Sequence, residues 1–139
     1  MRTFGLIGKD LGHSFSKKYF KNKFLQENIN ESEYINFELK RISDFTKIIT
    51  KKISGLNITM PFKESIIPFL DDLTKDAEEI GAVNTIQFKN KKLIGHNTDI
   101  IGFVKSIKPV LKGRSTALVL GSGGSSKTVK YALTKINIE

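Results

Sequence analysis

Three short apolar runs, TFGLIG at 3–8, YINFEL at 34–39 and GLNITMPFK at 55–63, are separated by stretches patterned for helices, and that alternation leaves few folds open. Tyr19, Phe20, Phe24 and Leu25 recur at helical spacing between the first two runs, and the Ser43–Asp44 pair opens a short helix over 43–50 before the third. Strand, helix, strand, helix, strand is the order of a parallel sheet joined by right-handed crossovers. The first run is continuously apolar, as a strand covered on both faces requires. Ligands of such sheets sit beyond the carboxyl ends of the strands, so the loops after the first and third runs should share one rim.

The third run carries the densest chemistry. Ile58 and Thr59 favour a strand, and Pro61, without an N–H, ends its ladder. Asn57 and Thr59 stand two apart and so leave one face, and Lys63 can lean over that face from the following loop or helix turn. The plainer alternative is that the two polar side chains satisfy turn backbone while Lys63 is solvated.

After the first run, the loop KDLGHSFS places Ser14 and Ser16 just before the first helical pattern. Either serine can be the helix N-cap, and two hydroxyls beside free N–H groups at a helix start can also hold a carboxylate. Downstream, 64–70 and 74–80 read as helical, interrupted by Pro68 and the Asp71–Asp72 pair. Residues 83–88 and 93–96 flank the polar turn KNKK and predict a hairpin. With the turn centred on Asn90 and Lys91, Asn84 lies opposite Asn97, which gathers Asn84, Asn97, Thr98 and Asp99 at one end. Asp99 also suits the N-cap of a helix over 100–107.

The chain has 139 residues, enough for one ordinary core, and no cysteine, which excludes disulfides and thiolate metal sites; no metal site is expected. No run approaches the length that spans a bilayer, so a cytoplasmic protein is expected. The net charge of +9 comes from lysines scattered in ones and twos, such as 17–18 and 91–92, without a stripe interleaved with aromatics. Attraction for anionic ligands fits this pattern better than a nucleic-acid surface, and no nucleic-acid partner is expected.

After Pro109 and the Lys112–Gly113 turn the character changes. Residues 115–120, STALVL, read as a buried strand, GSGGSS at 121–126 as a glycine loop, and about 127–135 as a helix. Gly121, Gly123 and Ser126 fit the dinucleotide fingerprint, with serine where only a small residue is needed. A P-loop needs a glycine where Ser126 precedes Lys127 and Thr128, and a purely structural turn stays open. The expected class is therefore α/β, a mainly parallel sheet flanked by helices with a terminal hairpin, followed by the start of a Rossmann-type unit. The expected division is 1–100, a connecting helix and linker over 101–113, and 114–139.

Taken in order, HSFS at 13–16, GLNITMPFK at 55–63, GAVNT at 81–85, GHNTD at 95–99 and GSGGSS at 121–126 resemble the N-terminal half of the shikimate dehydrogenase family. The resemblance implies a substrate domain joined to a dinucleotide-binding domain, with NADP(H) and shikimate meeting between them. It implies Ser14 and Ser16 on the substrate carboxylate, Thr59, Lys63, Asn84 and Asp99 on the ring hydroxyls, and Asn57 in support. Lys63 would be the acid/base residue beside Asp99, and Gly121, Ser122, Gly123, Gly124 and Ser125 would hold the cofactor pyrophosphate. Asp10 and Lys17 stand where the family usually has prolines, and Ile100 where it has glycine. The expected reaction is the reversible reduction of 3-dehydroshikimate to shikimate in the route to chorismate and the aromatic amino acids, the 139 residues alone being catalytically silent. An NAD-dependent quinate/shikimate dehydrogenase and a P-loop nucleotide-binding protein are the alternatives.

Oxidising a secondary alcohol removes the hydroxyl proton as hydride leaves carbon, so a positioned base is needed. A lysine serves when its surroundings favour the neutral amine, whereas a neighbouring aspartate favours the ammonium and contributes by orienting it.

Overall fold

A computed structural model describes residues 1–49 and 52–139. Its centre is a six-stranded sheet in the order β2-β1-β3-β5-β6-β4, built from β1 (Arg2–Gly8), β2 (Ser32–Glu38), β3 (Ile53–Ile58), β4 (Asp72–Leu73), β5 (Thr85–Lys89) and β6 (Lys92–His96). β1 runs parallel to both β2 and β3 and β4 parallel to β6, while β5 is antiparallel to β3 and β6. The parallel core, the crossovers and the hairpin are thus as the sequence pattern predicts. Asn90 and Lys91 both take positive φ, 51° and 62°, the left-handed pair that a two-residue hairpin turn needs.

β1 is buried on both faces because its apolar residues alternate between two cores. Ile7 packs below the sheet with Phe45, Ile48, Leu56, Ile58, Phe62, Ile66 and Val83. Leu6 packs above it with Leu11 and Tyr34, against Phe20 and Phe24 of α1 (Ser16–Gln26). The lower core is closed by α2 (Phe45–Ile49), the turn segment after β3, and Ala77 of α3 (Lys75–Ile80). α4 (Asp99–Leu111) and α5 (Gly124–Lys135) complete the elements.

Several local expectations are corrected. Segment 64–70 is a run of turns with a single 3-10 turn, Ile67–Phe69, because Pro68 withholds a donor and biases Ile67 away from a continuing helix. The acidic pair that follows contributes β4, hydrogen bonded beside β6, rather than a mere interruption. The 43–50 helix is a 3-10 turn, Ile42–Asp44, leading into α2, and position 50 lies outside the described residues. α4 runs through Pro109 to Leu111, forgoing the bond that a residue with an N–H would give to the carbonyl of Lys105. α5 begins at Gly124, three residues earlier than its apolar pattern suggests.

Segment 115–120 is not a strand. Among the described residues its backbone bonds to the rest of the chain are Ala117 N–H to Glu139 O at 2.7 Å and Glu139 N–H to Ser115 O at 2.8 Å, and Leu118 and Leu120 are each 84% exposed. A strand needs a neighbour along its length, and none pairs with this segment among the described residues. Among the described residues no helix is long and apolar enough to cross a membrane.

Candidate active site

The carboxyl ends of β1 and β3 are adjacent, Ile7 pairing with Ile58, and antiparallel β5 starts where β3 finishes, Asn57 pairing with Thr85. β6 ends at the same rim, His96 opposite Thr85. Four chain segments distant in sequence therefore deliver their polar ends to one edge of the sheet.

Lys63 sits in the turn after β3, its carbonyl accepting Val83 N–H at 2.7 Å. Its side chain is 15% exposed, and Nζ donates to Asp99 Oδ2 at 2.7 Å. The second oxygen, Oδ1, accepts from Asn84 Nδ2 at 2.7 Å. Asn84, itself buried, holds the loop before α4 as well, giving Nδ2 to Thr98 Oγ1 at 2.8 Å and taking Thr98 N–H on Oδ1 at 2.8 Å. Asp99 is therefore oriented from both sides, and its charge lies in the first turn of α4, where the helix dipole favours an anion. Thr98, not Asp99, is the N-cap, and among the described residues no side chain caps this helix; the aspartate is engaged by Lys63 and Asn84 instead.

Asn57 extends the network toward α1. Its Nδ2 donates to Thr85 Oγ1 at 3.1 Å and to Asn84 O at 3.4 Å, while Oδ1 accepts the Tyr34 hydroxyl at 2.9 Å. Tyr34 was not among the residues singled out from sequence. It is 7% exposed, its ring stacks on Phe20 at 4.4 Å between centroids, and burial pushes its hydroxyl up to about 12, against the pull of a hydrogen bond with Ser16. Tyr34, Asn57, Asn84, Asp99 and Lys63 are thereby joined by successive hydrogen bonds. No spacing rule reveals this chain, because Tyr34 and Asn57 come together only through two strands that flank a third.

Ser14 and Ser16 stand half-buried at the start of α1. The N-cap is Phe15, and Ser14 Oγ accepts Ser16 N–H at 3.3 Å, so neither serine caps as expected. The loop is held without flanking prolines: Asp10 Oδ1 accepts Gly12 N–H at 3.3 Å, and Leu11 N–H donates to Glu38 Oε1 at 2.9 Å. Thr59 leaves the end of β3 with its N–H on Ile7 O at 2.8 Å, its methyl lying where a Cβ on Gly8 would fall. His13 is exposed, and among the described residues no acidic or histidine cluster could hold a metal.

The glycine loop lies beside Lys63. Gly121 has φ +131°, and a Cβ there would come 2.5 Å from Ser126 Oγ. A Cβ on Gly123 would meet open space, so bare backbone faces outward at the start of α5, where unpaired N–H groups and the dipole favour a phosphate. Lys127, which a P-loop would turn to phosphates, pairs with Glu64.

The match to known proteins is continuous with this geometry. The profile of the shikimate dehydrogenase substrate binding domain matches residues 6–86. The chain belongs to this family. The NADP(+) shikimate dehydrogenase of Clostridium botulinum is 43% identical over 99% of the chain, which covers 55% of that relative. Shikimate dehydrogenase 1 of Peptoclostridium difficile superposes with a TM-score of 0.92 at 39% identity, covering 100% of this chain and 54% of that one. The Thermus thermophilus shikimate 5-dehydrogenase, solved in complex with NADP(H) and shikimate, gives 0.84 at 32% identity, with coverages of 100% and 54%. The chain thus spans about half the length of the curated relatives it matches.

Proposed function

We propose that the rim binds shikimate or 3-dehydroshikimate and serves NADP(H)-dependent shikimate dehydrogenation. The reading rests on one observation above all: an amine and a carboxylate in contact, Lys63 Nζ to Asp99 Oδ2 at 2.7 Å, close the end of a hydrogen-bonded polar chain that begins at Tyr34, stacked on Phe20 of the helix that the serine loop opens. A cyclic polyol acid needs such a layout, with its carboxylate at one end and its reacting oxygen at the other. In this assignment the hydroxyls of Ser14 and Ser16 take the carboxylate. Thr59, Asn84 and Asp99 take ring hydroxyls, and Asn57, whose amide is already engaged by Tyr34 and Thr85, keeps that set in register.

The backbone of Gly121, Ser122, Gly123, Gly124 and Ser125 would hold NADP(H), which would supply or accept the hydride; the exposed Gly123 backbone and the start of α5 fit its pyrophosphate. Lys63 as an ammonium gives a proton to the carbonyl oxygen of 3-dehydroshikimate as the carbonyl carbon gains hydride, and takes that proton back in the reverse direction. Asp99 accepts one Lys63 N–H throughout and so aims the amine. Asn84, by holding the other carboxylate oxygen, keeps Asp99 from turning away.

The absence of cysteines and of an apolar spanning helix among the described residues fits a cytoplasmic setting. Titrating shikimate into the 139-residue chain should shift backbone amides at Ser16, Thr59 and Asn84 together. In the natural gene product Lys63→Ala should lower turnover by about 10²–10⁴-fold, the range for a general acid/base, with a much smaller change in substrate affinity. Amide shifts confined to other surfaces, or near-normal turnover of the alanine variant, would remove the assignment.

A further inference from the structure

Lys63 is held by two groups. Besides Asp99, Nζ donates to Ser125 Oγ at 3.1 Å, a residue 62 positions away on the first turn of α5. The approach is made possible by Gly124: a Cβ there would lie 3.0 Å from Lys63 Cβ and 3.1 Å from Ala82 Cβ, so a side chain would push α5 off the lysine. Two further contacts keep the helix in place. Thr128 Oγ1 accepts Asn97 Nδ2 at 2.9 Å in a buried position and donates to Gly124 O at 2.8 Å, and Lys127 pairs with Glu64.

We infer that the Ser125 side chain is a positioning residue for Lys63, joining the glycine loop to the proton-transfer group. This rests on the reading of Lys63 given above. Backbone and side chain of Ser125 then have separate tasks, the N–H facing the phosphate of a bound nucleotide and the hydroxyl facing the amine. A lysine ammonium has three N–H donors on a four-carbon stem. With Asp99 alone, two N–H groups stay uncommitted and the stem can swing. Ser125 takes the second donor, fixes Nζ, and leaves one N–H for the oxygen of the substrate. A hydroxyl also suits both protonation states of its partner. It accepts from the ammonium and, after Lys63 has given its third proton to substrate oxygen, still accepts one of the two N–H groups that the neutral amine keeps. The carboxylate of Asp99 is an acceptor only. Because the hydroxyl rides on the nucleotide loop, a loop displaced from its bound position also releases the amine.

The test compares Ser125→Ala and Ser125→Thr with the wild type in the natural gene product, using 3-dehydroshikimate and NADPH for turnover and shikimate for equilibrium binding. Ser125 is exposed at a helix start, and neither change removes a buried group. Ser125→Ala should lower kcat about tenfold, the rate equivalent of one charged hydrogen bond, while the KM for NADPH and the Kd for shikimate stay within about twofold. Ser125→Thr should recover most of the loss, since it restores a hydroxyl. A kcat within about twofold of wild type in Ser125→Ala, or a loss that appears only in the KM for NADPH, overturns the inference and leaves the proposed function standing. A wild-type protein that binds no shikimate overturns both.

Discussion

The sheet and the segment that carries the glycine loop are held in place by different means. Around the sheet, Ile7, Phe45 and Ile66 have essentially no exposed surface, and most apolar strand residues pack into one of the two cores. The glycine-loop segment adds Ala132 and Leu133 to the interior but leaves Leu118 and Leu120 in solvent, and α5 meets the rim through individual polar contacts. Thr128 reaches Asn97, Ser125 reaches Lys63, and the Tyr131 hydroxyl lies 2.8 Å from Asp76 Oδ1 and 2.6 Å from Glu79 Oε2. Those two carboxylates hold the Tyr131 proton in place, raising its pKa. One region is secured by area and the other by geometry. Damage to the first should therefore be global, and damage to the second local.

The largest expected break in this contrast is Phe45→Ala. Phe45 is fully buried and meets Phe69 edge to face at 5.9 Å, so truncation should cost about 3–5 kcal/mol, combining lost transfer energy with an unfilled cavity. Urea unfolding should show one earlier transition for every probe, with amides of β1, β3 and α5 losing protection together. Loss restricted to α2 would mean that the lower core is not a single cooperative unit.

Thr128→Val should behave otherwise. The substitution preserves shape and removes the hydroxyl that accepts Asn97 Nδ2, leaving that buried amide with Ala82 O at 3.0 Å. One side-chain carbonyl at this spot, Asn97 Oδ1, already has no hydrogen-bond partner among the described residues, so no slack exists nearby to absorb a second lapse. The expected cost is about 1–3 kcal/mol. Hydrogen exchange should speed up in α5 while β1 and β3 keep their protection. Uniform acceleration would show that α5 is as much a part of the core as the strands are.

The same contrast explains what could be read from the residues in order. Alternation of apolar runs decides which elements form and how they stack, so the parallel core, the crossovers and the hairpin register were legible, down to Asn90 and Lys91 at the turn. Motif residues placed Lys63, Asn84 and Asp99 at one rim because strand ends were enough to place them. Contacts that depend on a side chain crossing between elements were not legible. Tyr34 reads as an ordinary strand aromatic until β3 is set two strands from β2 in the sheet, and Ser125 reads as a loop serine until α5 is docked. Segment 115–120 has the composition of a buried strand, yet composition states only what a segment would do beside a neighbour. Its two bonds to Glu139 begin such a pairing without extending it.

The smallest expected effect follows from that segment. Leu118 is already 84% exposed, so Leu118→Ser removes little buried apolar surface and should change the stability of the 139-residue chain by no more than about 0.5 kcal/mol. A buried leucine in a true sheet would instead cost about 2–5 kcal/mol on truncation, a difference that denaturant midpoints resolve easily. If the observed loss falls in the higher range, the run is covered in solution. Repeating the measurement over a range of protein concentrations then separates the two ways of covering it. A concentration-dependent midpoint means a second copy lies on the run, because association stabilises by mass action, whereas an unchanged midpoint means the segment has folded back on its own chain.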